Sequence, residues 1–286
     1  MGRLRVVLSV TIGAMKILDG RELAGFIKER QAKQVRALRQ AHEIAPKLAI
    51  IVTVTDHPAI DIYVRMKTRY GADILIEVET HRVAQADVPS VLAGLNADPA
   101  VHGIIVQLPL EDPLQTDEIV NLVAPAKDVD ALGKDATFDP ATPMAILWLL
   151  AGYNVDFRGK KVVLVGRGKL VGAPLERILL TSDVDVEVVD SKTADMKAVC
   201  LSADVIVTAA GKPGLLTSDM IKQGAVVVDA GVAGEQGKTV GDLDAAVYER
   251  TDLTITPTKG GVGPLTICAL FDNVIRAARE TIPEEL

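Results

Sequence analysis

Residues 160–180 read KKVVLVGRGKLVGAPLERILL. A β-branched run at 161–165 gives way to a glycine-rich turn, which opens into a helical pattern. Glycines in such a turn let the backbone approach a phosphate and present amides at a helix start. The spacing through Gly166, Gly168 and Gly172 is G-x-G-x-x-x-G, one residue longer than the standard dinucleotide fingerprint. An ordinary βα turn also favours glycine, so context has to decide. The next strand, at 184–189, ends at Asp190, about 20 residues on, where the fingerprint carries an acid. The stretch therefore reads as the opening of a Rossmann-type unit.

Working outward, the same alternation continues on both sides. Strands are expected at 203–208, 225–229 and 253–256, and a glycine-rich turn leads into a closing helix at 265–279. Upstream, 48–55 reads LAIIVTVT, apolar without alternation, as in a strand covered on both faces. Strands at 76–81 and 103–107 follow, separated by helices at 59–72 and 88–95, after an opening helix at 19–41. Strand–helix alternation implies parallel pairing and an α/β layer architecture. Residues 108–143 break the rhythm with five prolines, which marks a functional loop and a domain connection. Thr142 and Pro143 read as the cap and first turn of the next helix. Two domains are expected, meeting near 143/144.

Composition narrows the function classes. The chain has 286 residues, 49% of them hydrophobic, with a formal net charge of −7. That is ample material for a core, and acidic balance argues against nucleic acid as the main partner. Mean hydropathy is +0.27, but the longest apolar stretch, 144–152, is too short to cross a bilayer. Two lone cysteines, Cys200 and Cys268, point to a reducing compartment rather than a disulfide framework. Four histidines in no paired spacing imply no metal site. Residues 1–14 loosely resemble a secretory signal, but their apolar run is short and interrupted. They read as an extension before Met15.

Further constellations carry chemistry. Tyr63 and Lys67 lie four apart on a helix and so share a face. A lysine there moves protons only if desolvation lowers its pKa; otherwise it is a solvated lysine packed on a tyrosine. Gln107 ends the strand GIIVQ, at the edge where open parallel sheets meet ligands, or else it satisfies a turn. Lys127-Asp128-Val129-Asp130, in the irregular loop, is either a chemistry-bearing acidic segment or, as is commoner, a solvated charged loop. Gly260, Gly261 and Gly263 before Pro264 suggest a tight backbone pass or a hinge.

Taken in order, YVRMK, GIIVQLPL, KDVD, Thr142-Pro143, VGRGKLVGAPL, DSKT, VDAGV, VGDLD and TPTKGGVGPLT resemble the methylenetetrahydrofolate dehydrogenase/cyclohydrolase family, known as FolD, across roughly 15–279. The resemblance implies an N-terminal α/β catalytic domain, 15–143 rejoined by the closing helix at 265–286, a Rossmann domain at 144–264 and a cleft between them. It implies oxidation of 5,10-methylenetetrahydrofolate with a nicotinamide cofactor, then hydrolysis to 10-formyltetrahydrofolate, in a cytoplasmic homodimer. Lys67 matches the catalytic lysine, Tyr63 the pterin-side tyrosine, Gln107 the glutamine beside the lysine and Asp130 the pterin-binding aspartate. Gly263 and Pro264 fall on the substrate side. Gly166, Arg167, Gly168, Gly172, Asp190, Ser191 and Val232 fall on the cofactor side. NADP is the expected cofactor, with NAD favoured locally by Asp190.

The chain also departs from the pattern. Ile60 stands where a serine is usual, removing a hydrogen bond and with it support for efficient hydrolysis. Ala131 replaces a glycine, Gly168 a serine, and Asp190 a histidine. A dehydrogenase without efficient hydrolysis and a non-catalytic binding relative are the alternatives; a shikimate-type dehydrogenase would not explain QLPL or GGVGP.

Overall fold

The computed structural model describes residues 15–182, 184–235 and 238–283. The extension at 1–14 and the last three residues of the expected first domain lie outside the described residues. In chain order the elements begin β1 (Lys16–Ile17), α1 (Gly20–His42), β2 (Lys47–Val52), α2 (Pro58–Asp73), β3 (Glu77–Arg82), α3 (Val88–Ala97), β4 (Gly103–Val106), α4 (Thr116–Val120) and α5 (Ala141–Gly152). There follow β5 (Lys161–Val165), α6 (Gly172–Thr181), β6 (Asp185–Val189), α7 (Met196–Ser202), β7 (Val205–Thr208), β8 (Val226–Asp229), β9 (Ala233–Glu235), β10 (Lys238–Val240), β11 (Thr254–Ile255) and α8 (Val262–Glu280).

One compact unit comprises Asp19–Val155, Lys169–Leu175 and the residues from Gly260 onward. Its sheet has the order β3-β2-β4, all parallel. The unbroken apolar run of β2 has a direct cause. Leu48, Ile50 and Val52 pack with Val35 and Leu38 of α1 and Phe271 and Val274 of α8. Ala49 and Ile51 face the other way, onto Val88 and Leu92 of α3. Both faces are covered, so neither tolerates polar side chains. Each such side chain contributes roughly 1.5–3 kcal/mol by burial.

The other unit holds 15–18, Asp156–Gly168 and Glu176–Lys259. Its sheet runs β1-β11-β8-β7-β5-β6, again all parallel. Val165 pairs with Val189 and Thr208, and Thr208 with Asp229. The strands therefore end level, and the turns that follow leave from one edge.

The units divide differently from the expected 143/144 boundary. Residues 15–18 add β1 to the six-stranded sheet, and a two-residue strand has no period to read. Helix α5 is buried through Ala145, Ile146, Leu149 and Leu150, and it packs against α8. Its helix also starts at Ala141 behind Pro140, with no side-chain cap, so Thr142 is not the cap. Among the described residues no helix is long and apolar enough to cross a membrane.

Candidate active site

Helix α2 starts cleanly. His57 is the N-cap, its Nδ1 accepting from the Ile60 amide at 3.4 Å, and Pro58 occupies the first turn. Ile60 and Val64 turn inward, and Gly71 lets the helix lie close to β3, since a Cβ there would meet Val78 Cγ2 at 2.5 Å. Ile60 is 2% exposed and belongs to the core. Ile60, where a serine was expected, thus packs into the core beneath α2. Lys67, which is half-buried, follows on the same face, and Tyr63, which is exposed, lies on its flank.

Lys67 Nζ donates to Gln107 Oε1 at 2.8 Å. Gln107 leaves the C-terminal end of β4, where its backbone amide donates to Ile51 O at 2.9 Å. Its side-chain amide donates to Leu108 O at 2.9 Å, which fixes its oxygen toward the lysine. Burial lowers the Lys67 pKa, and the nearby Asp130 carboxylate opposes that shift. Burial likewise raises the Asp130 pKa, against the attraction of Lys67. Both groups are thus pushed toward their neutral forms. Gln107, Leu108, Asp130, Pro140 and Thr142 line a pocket of about 180 Å³.

The loop bearing Asp130 is built, not solvated. Lys127 Nζ donates to Leu95 O at 3.0 Å and Asp98 O at 2.6 Å, closing the C-terminal end of α3. Asp128 is buried and accepts from the Gly133 amide at 2.7 Å. Asn273 of α8 donates to Val129 O and to Asp139 O, each at 2.9 Å. Ala131 is held at φ +55°, a conformation that favours glycine. Asn273 carried no motif signal, because its two acceptors lie more than 130 residues away.

Gly260 and Gly261 make the tight pass, and it runs against α1. Gly20 N donates to Gly260 O at 2.9 Å, and a Cβ on Gly20 would sit 1.7 Å from Gly261 O. Gly263 and Pro264 lie in the first turn of α8, where a Cβ on Gly263 would meet only open space.

In the six-stranded unit, Gly166 has φ +104°, and a Cβ there would lie 2.8 Å from Ala209 O. A side chain would collide at the point where a dinucleotide needs the backbone, so this turn fits a nucleotide phosphate. A Cβ on Gly168 would make only an ordinary contact, 4.0 Å from Ala209 O, Gly172 begins α6, and Val232 is exposed. Asp190 and Ser191 are exposed beyond β6; Asp190 Oδ1 accepts from the Lys192 amide at 2.8 Å. Arg167 does not stand free. Its Nε and one terminal nitrogen donate to Glu176 at 2.8 and 3.1 Å.

Asp229 and Asp242 form a second acidic cluster. Asp229 accepts from Thr208 Oγ1 at 3.0 Å, from the amides of Gly231, Asp242 and Leu243, and from the Tyr248 hydroxyl at 3.2 Å. Asp242 accepts from the amides of Ala210 and Lys212 at 2.7 and 2.6 Å. A Cβ on Gly231 would collide with Asp242, and one on Gly241 with Asp229. The VDAGV and VGDLD segments are thus two halves of one hydrogen-bonded lock, a role their sequence did not disclose.

Two family models match the chain, and the second reaches across α5 and α8, which the structure packs into the first unit. Residues 18–130 match the tetrahydrofolate dehydrogenase/cyclohydrolase catalytic domain. Residues 140–282 match the NAD(P)-binding domain of the same description. A bifunctional protein FolD from Moorella thermoacetica is 39% identical over 279 residues, covering 92% of this chain and 99% of its own. The crystal structure of the Campylobacter jejuni bifunctional enzyme FolD superposes with a TM-score of 0.88 at 35% identity, over 94% of this chain and 100% of that one. The Trypanosoma brucei N5,N10-methylenetetrahydrofolate dehydrogenase-cyclohydrolase, complexed with NADP and an inhibitor, gives 0.87 at 29% identity, over 94% and 99%.

Proposed function

The chain belongs to the tetrahydrofolate dehydrogenase/cyclohydrolase family, and from that premise we propose that Lys67, Gln107, Tyr63 and Asp130 carry its chemistry on the folate. It is a methylenetetrahydrofolate dehydrogenase and a methenyltetrahydrofolate cyclohydrolase, with an NAD(P)-binding domain. The observation that supports the residue roles best is the 2.8 Å contact of Lys67 with Gln107 in a setting that lowers the lysine's pKa.

A nicotinamide cofactor, when bound, would supply the hydride acceptor, and the turn at Gly166, Gly168 and Gly172 would hold it. As hydride leaves the methylene bridge, the folate becomes an amidinium-like cation, which a charged lysine would repel. The neutral form of Lys67, favoured by burial, removes that repulsion. In hydrolysis, neutral Lys67 takes a proton from the attacking water and returns it to the leaving nitrogen. Gln107 keeps Nζ in position for both transfers. Tyr63 covers the ring from its exposed place on α2. Asp130 accepts from the pterin amino and ring N–H groups in a charge-assisted pair. Gly263 and Pro264 leave room for the substrate at the start of α8.

The working cofactor is NADP, with a narrow margin over NAD, in a cytoplasmic homodimer. Arg167 and Ser191 suit a 2′-phosphate, whereas Asp190 suits a free ribose hydroxyl. A spectrophotometric assay with methylenetetrahydrofolate and each cofactor in turn, run beside a separate methenyl hydrolysis assay, tests these assignments. Reduction of both cofactors with NADP ahead, and catalysed hydrolysis, are the expected results. A preference for NAD would overturn the cofactor choice, and absent hydrolysis would overturn the lysine's second role.

A further inference from the structure

Arg167 emerges from the turn after β5 with its side chain 61% exposed, yet it is paired through two hydrogen bonds to Glu176, whose side chain is 17% exposed. The asymmetry matters. Glu176 sits in the second turn of α6 and is fixed by the helix, whereas Arg167 is a long side chain on a turn. If the pair parts, the arginine moves and the acid stays. The contact occupies the Nε edge of the guanidinium, one of the edges through which arginine grips a phosphate in bidentate fashion. It also leaves the pair with no net charge. Asp190, at the end of the neighbouring strand, adds a second acid to the same edge of the sheet.

We propose that Glu176 is a specificity-determining residue for the cofactor: it holds Arg167, so a dinucleotide bearing a 2′-phosphate must compete with a carboxylate that has no effect on one lacking that phosphate. The inference rests on dinucleotide binding at the Gly166 turn. It concerns the size of the preference, and so stands apart from which cofactor wins.

The test is calorimetric titration of the full-length protein with NADP and with NAD, in the wild type, Glu176→Gln, Arg167→Ala and the double variant. Glu176→Gln is expected to tighten NADP by roughly threefold to fivefold, the range of an exposed ion pair, and to leave NAD unchanged. The gain should vanish in the Arg167→Ala background. A Glu176→Gln variant whose NADP affinity is unchanged or weaker overturns the proposal, the weaker case showing that Glu176 aims Arg167 at the phosphate. An equal gain for both dinucleotides, or a gain that persists without Arg167, also overturns it. A wild type that prefers NAD corrects the working cofactor, while the shift in Glu176→Gln still supports the role of Glu176.

Discussion

Asp130 and Asp229 are both half-buried carboxylates close to the end of a parallel strand or bridge, and they are served in opposite ways. Asp229 accepts from three backbone amides and two hydroxyls. Among the described residues, no donor reaches the Asp130 carboxylate, and its nearest charge is a lysine that burial drives toward neutrality. A carboxylate saturated by its own fold has no lone pairs to offer and works as a structural clamp. One that its own fold leaves without donors, on the lining of a pocket, keeps its lone pairs open to water or to a ligand that brings donors. Two acids of similar burial are therefore told apart by counting donors.

The comparison breaks most visibly at Lys67. Lys67→Met keeps most of the stem and removes the proton carrier, so hydrolysis should fall by about 10²–10⁴-fold, the range of general acid–base catalysis. The melting temperature should hardly move. In the wild type the hydrolysis rate should rise with pH as Lys67 loses its proton, with an inflection below the ordinary lysine range because burial lowers its pKa. A methionine variant with near-normal hydrolysis would make Lys67 a bystander.

Asp229 should give the reverse pattern. Asp229→Ala orphans the amides of Gly231, Asp242 and Leu243 and leaves Asp242 without its neighbouring turn. At about 1–3 kcal/mol per buried unsatisfied donor, partly relieved by water, a loss of about 3 kcal/mol is expected in urea unfolding. Unchanged stability would remove the distinction between clamp and site.

Smaller effects sharpen it. Asp190→Ser should raise the NADP-to-NAD ratio of kcat/KM by roughly fivefold, since two like charges a few ångströms apart cost about 1 kcal/mol. A ratio that does not move would mean that Asp190, already engaged with the Lys192 amide, points away from the ribose. Ala131→Gly should relieve the left-handed strain beside Asp130. The gain is at most about 1 kcal/mol, because glycine also loosens the unfolded chain. Chemical denaturation would read it, and a clear loss of stability would show that Ala131 is not strained.

Much of the site was legible because its signals are local. Tyr63 and Lys67 share a helix face through a four-residue spacing, and Gln107 ends a strand whose apolar run is plain. Gly166 stood at a strand-to-helix turn and proved to need its positive φ. The KDVD loop left a site and a solvated loop open as alternatives, and Lys127 and Asp128 are both bonded into the fold. Ile60 lacks the hydroxyl expected at its position, and its side chain is buried in the core. In each case the local pattern gave the residue's chemistry but not its partner.

By itself the sequence determined the alternation of strands and helices, the parallel sheets and which side chains were candidates for the site. These follow from periodicity and residue chemistry within a few turns of chain. Only the tertiary structure decided that β1 joins the far sheet, that α5 packs on α8, that Arg167 is held by Glu176, and that Asp229 is saturated while Asp130 is not. Those outcomes depend on hydrogen-bond donors and apolar surfaces brought together from distant parts of the chain. Whether a carboxylate is satisfied is a property of its neighbours in space, and no local spacing records it.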